Sequence, residues 1–125
     1  MFVKLKENIA NIGNMDKALE GMNTIHGENA QKLLIEGEEA LQCYGLLLDF
    51  ACITNKRLFF VDVKLTNKKK VVVSIPFNHI VEVSCDYGYA SDEIEVTTTH
   101  KTYELKMGVG LAERFANDVL TQMFK

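Results

Sequence analysis

The sequence predicts a mainly β domain, a closed antiparallel barrel of about seven short strands capped by one C-terminal helix. Two observations carry that prediction. Between Ala40 and Met107 short apolar runs recur roughly every ten residues, the spacing of a sandwich or barrel. After Gly110 the period becomes helical: Leu111, Phe115, Val119 and Met123 form one i, i+4 row, and Ala112, Ala116, Leu120 and Phe124 the next. So wide an apolar face needs a large hydrophobic acceptor, and the open end of a barrel supplies one.

The elements follow in order. Phe2, Leu5, Ile9 and Ile12 recur at helical spacing until Gly13-Asn14 interrupts them. Met15, Leu19 and Met22 repeat the pattern before Gly21 to Gly27 loosens the chain. A short turn over Glu28–Glu36 carries Ala30, Leu33 and Leu34 and stops at Gly37. These stripes are expected to brace a core, since Glu7, Asp16 and Glu20 offset Lys4, Lys6 and Lys17.

From Ala40 the pattern is that of strands. Leu41–Gly45 and Phe50–Thr54 are two runs, and Asn55-Lys56 is a two-residue break suited to a hairpin. Arg57–Val63 returns, Lys64–Lys70 is a charged loop, and Val71–Ile75 is a strand limited by Pro76. Ile80–Cys85 alternates again. In the last hairpin a turn at His100-Lys101 would set Thr98 opposite Tyr103, Val96 opposite Leu105 and Ile94 opposite Met107, with Glu95 facing Lys106 on the wet side.

Composition bounds the function. The chain has 125 residues, 47% of them hydrophobic, and a net charge of −3, so any basic site must be local and nucleic acid is not an expected partner. No apolar run approaches the roughly 20 residues of a spanning helix. The N-terminal segment has neither an uninterrupted apolar stretch nor a small-residue cleavage site, so no signal peptide is expected. Cys43, Cys52 and Cys85 lie in apolar strand-like stretches without a CxxC pair, which points to buried free thiols and a cytoplasmic protein.

Catalytic chemistry finds little footing. His26, His79 and His100 are scattered without metal-ligand spacing, and neither a GxSxG nor a phosphate loop occurs, so no catalytic residue, metal or cofactor is expected. Gly108 and Gly110 could hold an anion at the helix start, but a simple turn explains them better. Two acidic clusters, Glu36, Glu38 and Glu39 and then Asp92, Glu93 and Glu95, are expected to be a solvated loop and an outward strand face. The candidate binding residues are Lys64, Lys68, Lys69 and Lys70, which concentrate positive charge, and Tyr87 and Tyr89, which flank Gly88 in a loop-like stretch.

Three segments resemble a known family. LLIEGEEALQ (Leu33–Gln42), ITNKRLFFVDV (Ile53–Val63) and VVVSIPFNHI (Val71–Ile80), with an acidic Ser91-Asp92-Glu93 and the closing helix, are similar to bacterial pleckstrin-homology (PH) domains. The resemblance spans Leu33–Phe124 and implies a PH-like barrel of two near-orthogonal sheets plugged by a helix. It divides the chain into a helical N-terminal extension, 1–32, and the barrel domain, 33–125. It also implies a self-assembling interaction module, with ring-like homo-oligomers a recurring theme. Phosphoinositide-binding eukaryotic relatives carry basic residues between their first two strands. Here that stretch is Leu46-Leu47-Leu48-Asp49-Phe50, so a specific phosphoinositide site is not expected, and the tryptophan of many eukaryotic closing helices is absent.

The expected function is therefore a non-catalytic assembly module, a homo-oligomer with a further protein partner. The alternative is a membrane-surface adaptor that uses the lysine-rich loop and the Phe2–Ile12 stripe against anionic lipid.

Overall fold

Among the described residues seven strands form between Ala40 and Met107, preceded by one long helix and followed by a short one. The computed structural model describes residues 2–63 and 69–125, with the side chains of the first helix described from Met15 onward. The helix α1 spans Phe2–Gln31. The strands are β1 (Ala40–Gly45), β2 (Phe50–Thr54), β3 (Arg57–Val63), β4 (Lys70–Pro76), β5 (Ile80–Asp86), β6 (Asp92–Thr98) and β7 (Thr102–Met107). The closing helix α2 is Leu111–Met123. The architecture is PH-like. Among the described residues no helix is long and apolar enough to cross a membrane.

The strands make two antiparallel sheets, ordered β1-β2-β3-β4 and β5-β6-β7. A bridge between Leu46 and Met107 joins them at one corner, backed by the Leu47 N–H donating to the Lys106 carbonyl at 3.0 Å. At the opposite side β4 leads into β5 through a single 3₁₀ turn, Phe77–His79, and the two strands are not paired. The expected closed ladder is thus two sheets meeting at one corner. Pro76 ends an outer strand, where its missing N–H breaks no inner ladder.

Between the sheets lies one core. Tyr44, Ile53, Leu58, Phe60, Ile94, Val96, Leu105 and Met107 supply it from the strands, and Ala112, Phe115, Ala116 and Val119 from α2. Tyr44 meets the Phe115 ring edge-on at 5.0 Å and its hydroxyl donates to Asp118, so α2 is both packed and tethered. Burial and the Asp118 carboxylate push the Tyr44 hydroxyl well above its usual range. The row from Leu111 to Met123 faces the core, whereas Leu120 and Phe124 in the second row are exposed.

α1 differs from the expectation of interrupted pieces. It is continuous, and Gly21 and Gly27 lie inside it. Each glycine costs about 1 kcal/mol relative to alanine in a helix interior. Packing of Leu19, Met22, His26 and Ala30 along one side offsets that cost, Leu19 and Ala30 being buried and His26 stacking on Phe50 at 5.1 Å. The helix also satisfies the outer edge of β1. The Cys43 N–H donates to Asn23 Oδ1 at 2.8 Å, and the Gly45 N–H reaches Met22 Sδ at 3.1 Å. Beneath the C-terminal end of α1 sits a second, smaller core of Ala30, Cys43, Phe50, Cys52, Phe59 and Val61.

The last hairpin is also corrected. Val96 pairs with Tyr103, Ile94 with Leu105 and Asp92 with Met107, two residues from the expected register. The turn falls at Thr99-His100, where Thr98 Oγ1 accepts from the His100 and Lys101 N–H groups at 3.3 and 3.2 Å. A slip of two keeps every side chain on its face, so alternation alone leaves the two registers indistinguishable. On the wet side Lys106 therefore faces Glu93, and Glu95 faces Glu104.

Candidate functional site

A groove of about 480 Å³ lies where the β1–β2 turn, the second half of β3 and the length of β7 meet. Its walls are residues 46–49, 60–63 and 101–106. The Leu46 N–H donates to the Asp49 carbonyl at 2.8 Å and closes a tight turn. That turn holds Leu47 and Leu48 outward, 61% and 62% exposed. Three consecutive leucines cannot all face one side of a strand, a pattern that could have marked an exposed apolar tip but was not read so from the sequence. Along the wall Phe60 meets Tyr103 edge-on at 5.5 Å, and the Lys101 ammonium stands 5.0 Å from the Tyr103 ring centre.

Of the candidate binding residues, Lys64 and Lys68 lie outside the described residues, as do the side chains of the Phe2–Ile12 stripe. Lys69 is exposed, and Lys70 opens β4 with its ammonium 3.2 Å from Asp49 Oδ2. Lys70 therefore meets the groove wall at the leucine turn. Tyr87 is exposed and its hydroxyl contacts the Cys85 thiol, while Tyr89 is fully exposed. Neither tyrosine lines the groove.

Two acids expected to be solvated are buried. Glu38 has a side chain with 0% exposure, whereas Glu36 and Glu39 are exposed. It accepts from Arg57 Nε at 2.9 Å, Arg57 Nη2 at 3.0 Å, the Thr54 hydroxyl at 2.7 Å and the Ile35 N–H at 3.0 Å. Burial alone would raise the Glu38 pKa; the Arg57, Thr54 and Ile35 hydrogen bonds and the Arg57 charge overcome it and bring the carboxyl to about 2. Arg57 also donates to the Leu33 carbonyl and the Ser74 hydroxyl, each at 2.6 Å. One guanidinium thus ties together the three segments that carry the family resemblance. Glu38 and Arg57 act as a structural clasp.

Asp92 is the second buried acid. Its Oδ2 accepts from the Gly110 N–H at 2.9 Å and the Ala112 N–H at 3.4 Å, and so caps α2 from another strand. The anion position at this helix start is filled by the chain's own carboxylate. Gly110 sits at φ 91°, a conformation that favours glycine.

The remaining chemistry is sparse. Glu93, Glu95 and Glu104 bring carboxylate oxygens within 4.8 Å of one another on the wet face of β6 and β7. His79 is exposed on the 3₁₀ turn and His100 at a hairpin tip. Among the described residues every buried side-chain nitrogen and oxygen has a hydrogen-bond partner. β4 and β5 are outer strands, and Val71, Val72 and Val81 on them are exposed.

This order of two sheets and a closing helix is that of a PH-type fold, and comparison with known proteins places it further. The bacterial PH domain profile matches residues 8–113, and the chain belongs to that family. It is similar to the uncharacterised protein YozO of Bacillus subtilis, 37% identical over 79 residues that cover 61% of this chain and 69% of the relative. Two solved structures share the fold. One is a pleckstrin-homology domain from Shewanella amazonensis, with a TM-score of 0.58 and 23% identity over 78% of this chain and 84% of that one. The other, a protein with a pleckstrin-homology domain from Shewanella loihica, gives 0.60 and 16% over 82% and 92%.

Proposed function

We propose that this chain is a non-catalytic, cytoplasmic interaction module that assembles with copies of itself through the free edge of β4. The observation that carries this reading is the exposure of that strand. Among the described residues it pairs only with β3, and Lys70, Val71 and Val72 are exposed whichever face they occupy. The ladder's alternation turns the backbone groups of Val72 and Ser74 outward, because Leu46–Asp49 is a hydrogen-bonded pair and the register then fixes each strand in turn. An edge strand with exposed valines between its terminal Lys70 and Pro76 is a template for strand addition by a second chain. The saturation of both buried acids and the separation of the histidines support a module without catalysis. Light scattering over a wide concentration range tests assembly: a mass above that of one chain is expected, and a monomer throughout contradicts it.

A second reading rests on the ion pair between Lys70 and Asp49, which sets a lysine beside the turn that exposes Leu47 and Leu48. Lysines around an apolar tip suit an anionic membrane surface. Flotation with anionic vesicles at low and high salt tests it. Salt-sensitive binding that disappears when Lys69 and Lys70 become Glu supports it, and no binding sinks it.

A further inference from the structure

Cys43 on β1 and Cys52 on β2 stand directly opposite each other. The flanking partners show which kind of pair this is. The Cys43 N–H points away from β2 to Asn23 Oδ1, and three residues on, the Leu46 N–H bonds the Asp49 carbonyl across the turn. Alternation then makes Cys43–Cys52 a non-hydrogen-bonded pair, in which Cα atoms approach to about 4.5 Å and side chains stand closest. That separation falls at the lower end of the roughly 4.4–6.8 Å span that disulfides bridge. Both thiols are free, and both face the small core under α1, at 2% and 0% exposure.

We propose that Cys43 and Cys52 are a reversible disulfide site whose accessibility is gated by α1. The thiols have an order of reactivity, since Cys52 donates a hydrogen bond that lowers the Cys43 pKa while its own is raised. With a low-molecular-weight disulfide as oxidant, the Cys43 thiolate attacks one sulfur, forms a mixed disulfide and releases one thiolate. Cys52 then loses its proton and attacks the Cys43 sulfur, forming the Cys43–Cys52 bond and releasing the second thiolate. Two electrons pass from the cysteine pair to the reagent, and the two released thiolates take up the two protons.

The gate follows from packing. Ala30 at the end of α1 and Leu33 and Leu34 beyond it pack into the same small core as both cysteines, and lifting of this segment is the assigned route by which a reagent reaches the sulfurs. Asn23 holds the helix to Cys43 through the Cys43 N–H. Cys85, on β5, is packed by the Ala112 carbonyl and Tyr87 and faces neither of the other two.

The test uses the full-length Cys85→Ser chain incubated with oxidised glutathione, then denatured, alkylated and weighed by mass spectrometry. The expected product is a monomer lighter by two hydrogens, with neither thiol alkylated, a peptide joining Cys43 to Cys52, and an unchanged circular dichroism spectrum. Asn23→Ala is expected to form it several-fold faster, and reductant to reverse it. A lasting glutathione adduct, a disulfide-linked dimer, or two alkylated thiols after the same exposure would overturn the site. An unchanged rate in folded Asn23→Ala would overturn the gate.

Discussion

Glu38 stands at the centre of a buried polar cluster, held by Nε and Nη2 of Arg57, by Thr54 and by the Ile35 N–H. Removing one partner of a buried pair leaves the other charge uncompensated. Glu38→Gln is therefore expected to lower unfolding free energy by about 3 kcal/mol in urea titration. The pH dependence has a defined sign. The folded carboxyl, at about 2, lies below its ordinary 4.5, so its contribution is complete above pH 4.5 and is lost as pH falls toward 2. The gap between wild type and Glu38→Gln should close over that interval. Asp92 makes a second prediction. Asp92→Ala removes the cap of α2 and should cost about 1–2 kcal/mol, while Asp92→Asn keeps an acceptor and should cost less. Neither role was legible in the sequence, because a carboxylate in a run of acids reads as solvated until a partner distant in sequence is brought against it. Arg57 is 19 residues from Glu38, and Gly110 is 18 from Asp92.

Elements were more legible than contacts. Strand positions and the closing helix follow from periodicity, since burial of one face imposes period 2 or 3.6 on the sequence. What periodicity could not fix is register, as the β6–β7 hairpin shows. Thr98 sets the turn with a single hydroxyl, and the slip of two that it selects leaves the hydrophobic pattern unchanged. The register makes its own prediction. Glu95 faces Glu104, so Glu104→Lys should stabilise the protein by about 0.5 kcal/mol in thermal or urea unfolding. In the register with Thr98 opposite Tyr103, Glu104 would face Thr97 and the substitution would be close to neutral. α1 escaped the sequence for another reason. Its glycines and asparagine argue for breaks, and the compensation comes from β1, whose edge it covers and whose Cys43 N–H it satisfies. The groove was likewise invisible because it joins three separated stretches of chain, although the leucine run was a usable sign of its exposed tip.

At the scale of the whole molecule, two sheets meet at the Leu46–Met107 corner and leave β4 and β5 as outer strands. α1 covers the β1 edge, and of the two outer strands it leaves uncovered, β4 and β5, the proposed contact is assigned to β4. A proline at position 72 removes an outward-facing N–H that the β3 ladder does not use, which is where an edge strand tolerates proline. Analytical ultracentrifugation of the wild-type chain beside Val72→Pro, with far-UV circular dichroism to confirm that the variant is folded, tests the assembly account most directly. The account predicts a concentration-dependent oligomer for the wild type and a folded monomer for Val72→Pro; a wild-type chain that sediments as a monomer at every concentration would contradict it.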